Sequence, residues 1–111
     1  MSKRARIDQI RTLGFAGISG VYAAVGSAFT VRPRLMCINN NTDGDLYFTD
    51  DITQDKLFVA AGSFKLLDIT SNMETHNDDA FEFPVGTQMY VKEITNPTSG
   101  DVYIELIYGY G

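Results

Sequence analysis

From Asp101 to Tyr108 the chain alternates with a period of two. Val102, Ile104, Leu106 and Tyr108 fall on one side of an extended backbone, and Asp101, Tyr103, Glu105 and Ile107 on the other. A segment of this kind is a strand with one face in a core and one face outward. Ile107 is the exception on the outward face, an apolar residue in an otherwise polar row, and it needs cover. The same signal recurs upstream. Met89 and Val91 alternate with Gln88, Tyr90 and Lys92. Segments 29–32, 34–39, 45–49, 56–59, 63–69 and 81–83 are rich in Val, Ile, Phe, Tyr and Leu, which suit a pleated surface.

The breaks between these segments carry turn chemistry. Asn41-Thr42-Asp43-Gly44 supplies a glycine for a positive φ, and Ala61-Gly62 separates two apolar runs closely enough for a hairpin. Pro84-Val85-Gly86 and Pro97-Thr98-Ser99-Gly100 bound the last two strands. Short strands at intervals of roughly 8–12 residues, with no sustained helical period, predict an all-β fold: an antiparallel β-sandwich, jelly-roll-like or Ig-like.

The first thirty residues read differently. Ile7, Ile10 and Leu13 have helical spacing, Ser2 is a candidate cap and Gly14 a stop, so one short amphipathic helix is expected there. Gly14, Gly17, Gly20 and Gly26 then punctuate Phe15, Ile18, Val21, Tyr22 and Val25. Glycine at that density disfavours a long helix or a central strand. Charge is sorted the same way. Lys3, Arg4, Arg6, Arg11, Arg32 and Arg34 lie in the first 34 positions against Asp8, a formal +5 (six minus one). The remainder holds Lys56, Lys65 and Lys92 against thirteen acids, a formal −10, which with the leader gives the net −5. The expected organisation is an extended N-terminal docking arm, residues 1–30, on a β-sandwich domain, residues 31–111.

Such an arm would dock by charge steering from Lys3, Arg4, Arg6 and Arg11, and by burial of Ile7, Ile10, Leu13, Phe15, Ile18 and Tyr22. Each of these apolar side chains contributes roughly 1.5–3 kcal/mol at full burial, before the cost of ordering. Tyr103 and Ile107 form a second expected protein interface. The leader has enough cations to neutralise a few phosphates, but the acidic body repels a polyanion, so protein docking is favoured over nucleic acid.

Catalysis has little to work with. The one histidine, His76, lies in a polar stretch, residues 70–80, that reads as an exposed loop, and no nucleophile motif converges on it. The single Cys37 sits in an apolar run and reads as a buried, reduced thiol. Asp43, Asp45, Asp50, Asp51 and Asp55 crowd one stretch, but their order does not match a calcium loop, and one Cys with one His does not make a zinc site. There is no phosphate-binding glycine loop. The expectation is a non-enzyme with no cofactor and no metal. No apolar run approaches the roughly 20 residues that span a bilayer, and Asp8, Gln9 and Arg11 interrupt any signal-peptide core, so the chain reads as soluble, without a membrane role, and made in a cytoplasm.

The run from Arg34 through Cys37, Asn41-Thr42-Asp43 and Tyr47 to Asp51 resembles small structural proteins of tailed bacteriophages. So do Lys56 to Phe64, Asp68 to Asn72, and Pro97-Thr98-Ser99-Gly100 to Ile104 with Tyr108-Gly109. The resemblance implies a non-enzymatic virion protein, either a capsid decoration or cement subunit or a head–tail connector subunit. Its implied partners are copies of itself and other virion proteins of the capsid, portal or tail, with the virion as its location and the host cytoplasm as its place of synthesis. The other reading of the residues is a carbohydrate- or host-surface-binding sandwich, with Tyr47, Tyr90, Tyr103 and the 70–80 loop as its contact face.

Overall fold

The computed structural model describes residues 4–69 and 83–110; the 70–80 loop with His76, the segment 81–82 and Lys3 lie outside the described residues. The described chain is nearly all β. Its strands are β1 (Arg4–Ile7), β2 (Arg11–Gly14), β3 (Ala23–Ala24), β4 (Pro33–Thr42), β5 (Leu46–Thr49), β6 (Leu57–Val59), β7 (Phe64–Asp68), β8 (Tyr90–Glu93) and β9 (Gly100–Tyr110). A single 3-10 turn spans Phe15–Gly17.

Two antiparallel sheets pack face to face, as an all-β sandwich requires. The first has the order β1-β9-β4-β7, with β2 following β1 along the same edge of β9; the second has the order β3-β8-β5-β6. Most of the core comes from inward residues of both sheets. Met36 and Ile38 of β4 and Val102, Ile104 and Leu106 of β9 meet Leu46, Phe48, Val59 and Val91 from the other side. The alternation read from β9 holds: Val102, Ile104 and Leu106 are fully buried, while Tyr103, Glu105 and Ile107 face out.

The leader is where expectation and structure part. Residues 4–30 do not form an arm separate from the sandwich. Strand β1 pairs with β9 from Arg4↔Tyr110 to Ile7↔Ile107, and β2 pairs with it from Arg11↔Ile104 to Gly14↔Asp101. Ile18, Val25 and Phe29 are buried in the common core. No helix forms across Ile7, Ile10 and Leu13, because the open edge of β9 offers a ladder for backbone groups that an isolated short helix leaves half-satisfied. The two strands are one edge strand with a bulge. Four steps from Ile7 to Arg11 oppose three steps from Ile107 to Ile104, so one residue is extra and the strand changes face. Ile7 therefore points outward with Ile107, while Arg11 turns inward with Ile104.

Other boundaries also shift. Residues 29–32 form no strand, although Phe29 exchanges backbone hydrogen bonds with Thr87 and Gly86. Phe83 belongs to no strand. Ala61-Gly62 makes no hairpin: β6 pairs with β5 in one sheet and β7 with β4 in the other, so Gly62 (φ +72°) turns a corner between sheets. Gly44 does not have a positive φ. It is required by close approach, since a Cβ there would stand 2.3 Å from the Thr95 carbonyl oxygen. Beside it, buried Asn40 donates to the carbonyls of Gly44 (2.8 Å) and Val59 (3.0 Å) and accepts from Thr42, tying the β4–β5 turn to β6.

Candidate functional site

Arg11 is buried, with 6% of its surface accessible, and its charge is spent inside the chain. Its guanidinium donates to Asp8 Oδ2 (2.8 Å), to the Ser27 carbonyl (2.8 Å) and to the carbonyls of Gln9 and Ala28, and it stacks 5.1 Å from the centre of the Phe29 ring. It clamps the edge strand to the segment before β4, a structural role in place of the docking role expected for it. Leu13 packs against the core and Ile18 is within it. Tyr22 donates to Asp55 Oδ1 (2.6 Å). Burial, with that hydrogen bond, pushes its hydroxyl well above the ordinary tyrosine value of 10.0. Ile10 and Phe15 remain exposed.

The crowded aspartates do not converge. Asp43 accepts from Thr98 and Ser99, Asp45 from the Ala61 amide, and Asp51 from Thr53. Asp50 pairs with Lys56 at 2.7 Å and Asp55 with Lys92 at 2.9 Å. Each closes a turn or bridges strands, and among the described residues no three His, Cys, Asp or Glu side chains are placed to share a metal ion. Among the described residues no helix is long and apolar enough to cross a membrane.

The tyrosines proposed as one contact face are split between the two sheets. Tyr47 and Tyr90 lie on the outer face of the β3-β8-β5-β6 sheet, Tyr47 opposite Lys92, whereas Tyr103 lies on the outer face of the other. Lys92 Nζ sits 4.8 Å from the Tyr22 ring centre and 5.7 Å from that of Tyr47, so these two aromatic faces already hold a cation.

What the structure does assemble is an apolar outer face on the β1-β9-β4-β7 sheet. Register places Ile7, Ile107, Leu35 and Asp68 in one row across it. Glu105, Cys37 and Leu66 form the next row, and Thr12, Tyr103, Asn39 and Phe64 the one after. Ile7 is 80%, Phe64 64% and Leu66 59% exposed. Ile7, Leu35, Cys37, Leu66 and Ile107 line a shallow cleft of about 170 Å³ with Glu105 at its side. Asn39 donates to Glu105 at 3.0 Å and holds that carboxylate over the sheet. Cys37 is half-buried here on the outer face and not in the core; its partial burial and then Glu105 push its thiol upward. The expected interface pair Tyr103 and Ile107 is part of this face, and so is Ile7 from the leader. Leu35, Phe64 and Leu66 were missed. Their faces depend on β4–β7 pairing, and β7 alone, Phe-Lys-Leu-Leu-Asp, does not reveal which side meets the core.

No protein-family model matches the chain, and no curated protein matches it. Among solved structures it is similar to the SPP1 Dit protein (gp 19.1), described as a paradigm of hub adsorption apparatus in Gram-positive infecting phages. The identity is 9% and the TM-score 0.43, over 96% of this chain and 49% of that one. The chain thus spans about half the length of that structure, and at this identity and TM-score the likeness says nothing further about this chain.

Proposed function

We propose that this chain is a non-enzymatic structural subunit of a tailed-phage virion, a capsid decoration or head–tail connector protein, that assembles through surfaces of its sandwich. The sequence likeness to small phage structural proteins supports the class. The observation that carries the assembly role is the outer face bearing Ile7, Ile107, Leu35, Leu66 and Phe64, which leaves large apolar side chains in water on one side of a rigid sheet. A sandwich with no such duty keeps that face polar.

The test is incorporation. Particles assembled with Leu66→Lys or Phe64→Lys chains, folded as judged by circular dichroism, are expected to carry the protein at well below wild-type copy number. Wild-type incorporation by both would remove the apolar face from assembly. Copy number also separates the stations: hundreds per particle mean capsid decoration, about a dozen a connector ring.

A further inference from the structure

We infer that the apolar outer face of the β1-β9-β4-β7 sheet pairs with the same face of a second copy, strands antiparallel, with Cys37 meeting Cys37 of the other copy near a two-fold axis. The inference rests on the reading of the chain as an assembly subunit and names the partner of that face.

Area and chemistry choose the occupant. Four strand positions at about 4.8 Å spacing, crossed with the roughly 26 Å from Asp101 to Gly109, give a projected area on the order of 500 Å². Side-chain relief adds to it. Standard interfaces take about 800 Å² from each partner and weak ones less than about 600, so the face matches a reversible dimer without help from another surface. Its ends also match. Arg34 lies over Gly109 at one end, its Nε 3.3 Å from where a Gly109 Cβ would be, and Asp101 lies at the other. Arg34 interacts within its own chain as well. Laying two copies antiparallel about the Glu105–Cys37 row sets Arg34 over Asp101, Ile107 over Tyr103, and Leu66 over Leu66. An isologous contact of this kind is self-complementary by symmetry.

The arrangement has two unfavourable elements, Asp68 set over Phe64 and a like-charge contact in the central row, and the second supplies the discriminating test. Glu105 of each copy approaches its twin, and like charges brought together oppose association. Removing that charge tightens self-pairing, whereas it weakens docking to a basic partner.

Sedimentation velocity of the full chain over a concentration series is the primary measurement. The wild type is expected to show a concentration-dependent dimer, Leu66→Lys a monomer with unchanged circular dichroism, and Glu105→Gln a dimer at least threefold tighter. A short bis-maleimide is expected to join Cys37 to Cys37 in wild type and not in Leu66→Lys. A wild type that stays monomeric at all concentrations overturns the inference, as does a dimer unaffected by Leu66→Lys or loosened by Glu105→Gln. A monomeric wild type whose Leu66→Lys variant still fails to enter particles overturns self-pairing and leaves the virion reading standing. A self-pairing chain whose wild type does not enter particles at all does the reverse.

Discussion

Gly26 lies directly against Arg11: a Cβ on Gly26 would stand 2.8 Å from the Cβ of Arg11. At φ +65° its backbone is in the left-handed region that glycine alone adopts freely. The turn it makes carries the carbonyls of Ser27 and Ala28 onto the Arg11 guanidinium. Edge strand, turn and buried cation are one unit, which ties residues 4–30 to the sandwich.

Arg11→Met tests that unit. It leaves Asp8 and the carbonyls of Gln9, Ser27 and Ala28 without their donor, and a lost hydrogen bond to a charged group costs about 1.5–3 kcal/mol. The expected result is an unfolding free energy lowered by an amount in that range, read from the urea midpoint at unchanged slope by circular dichroism, with faster amide exchange in residues 4–14. An unchanged midpoint would mean that the clamp contributes nothing to the fold.

Gly100→Ala is expected to be far more damaging. Gly100 has φ +92°, and a Cβ there would stand 2.0 Å from the Asn41 carbonyl oxygen, a backbone atom that cannot move aside. The β4–β9 pairing begins at this point, so the variant should express as insoluble protein or melt more than about 20 °C lower, a loss above roughly 3 kcal/mol for a domain of this size.

Asn40→Leu is near in volume but loses both donors and the acceptor for Thr42. The Val59 carbonyl then loses its side-chain amide donor, and the Gly44 carbonyl keeps only the Thr42 hydroxyl, in a buried turn. A loss of about 1–3 kcal/mol is expected from unsatisfied buried groups, read as a lower denaturation midpoint with unchanged slope.

The pH profile of stability should respond to Asp55. Hydrogen bonds from Tyr22 and then Lys92 hold its carboxyl below the ordinary 3.8. A depressed folded value contributes stability that is fully present above the unfolded value and is lost as pH falls through the folded one. Tyr22 acts at the other limit. Its raised value contributes below pH 10.0 and is lost as pH rises through the folded value. Asp55→Asn is therefore expected to flatten the fall of the melting temperature below about pH 4 and, because burial is the larger cause of the Tyr22 rise, only part of the fall above pH 10. A wild-type profile in the variant would show that the pair does not couple to folding.

Sequence alone determined the β character, most of the strand positions from β4 onward, and the two faces of β9. These follow from side-chain alternation and turn residues, which are local and survive in one dimension. It also placed Tyr103 and Ile107 outward and asked what covers Ile107. Only the tertiary structure decided where the leader goes. Its glycines and cations read as a free arm because nothing local says that β9 has an open edge, or that a one-residue bulge turns Arg11 under the Ser27 and Ala28 carbonyls. The same holds for the apolar face, since Ile7, Leu35 and Leu66 become neighbours through pairings of residues far apart in the chain. Register between distant strands is a property of the packed sheet, set by which faces the core accepts.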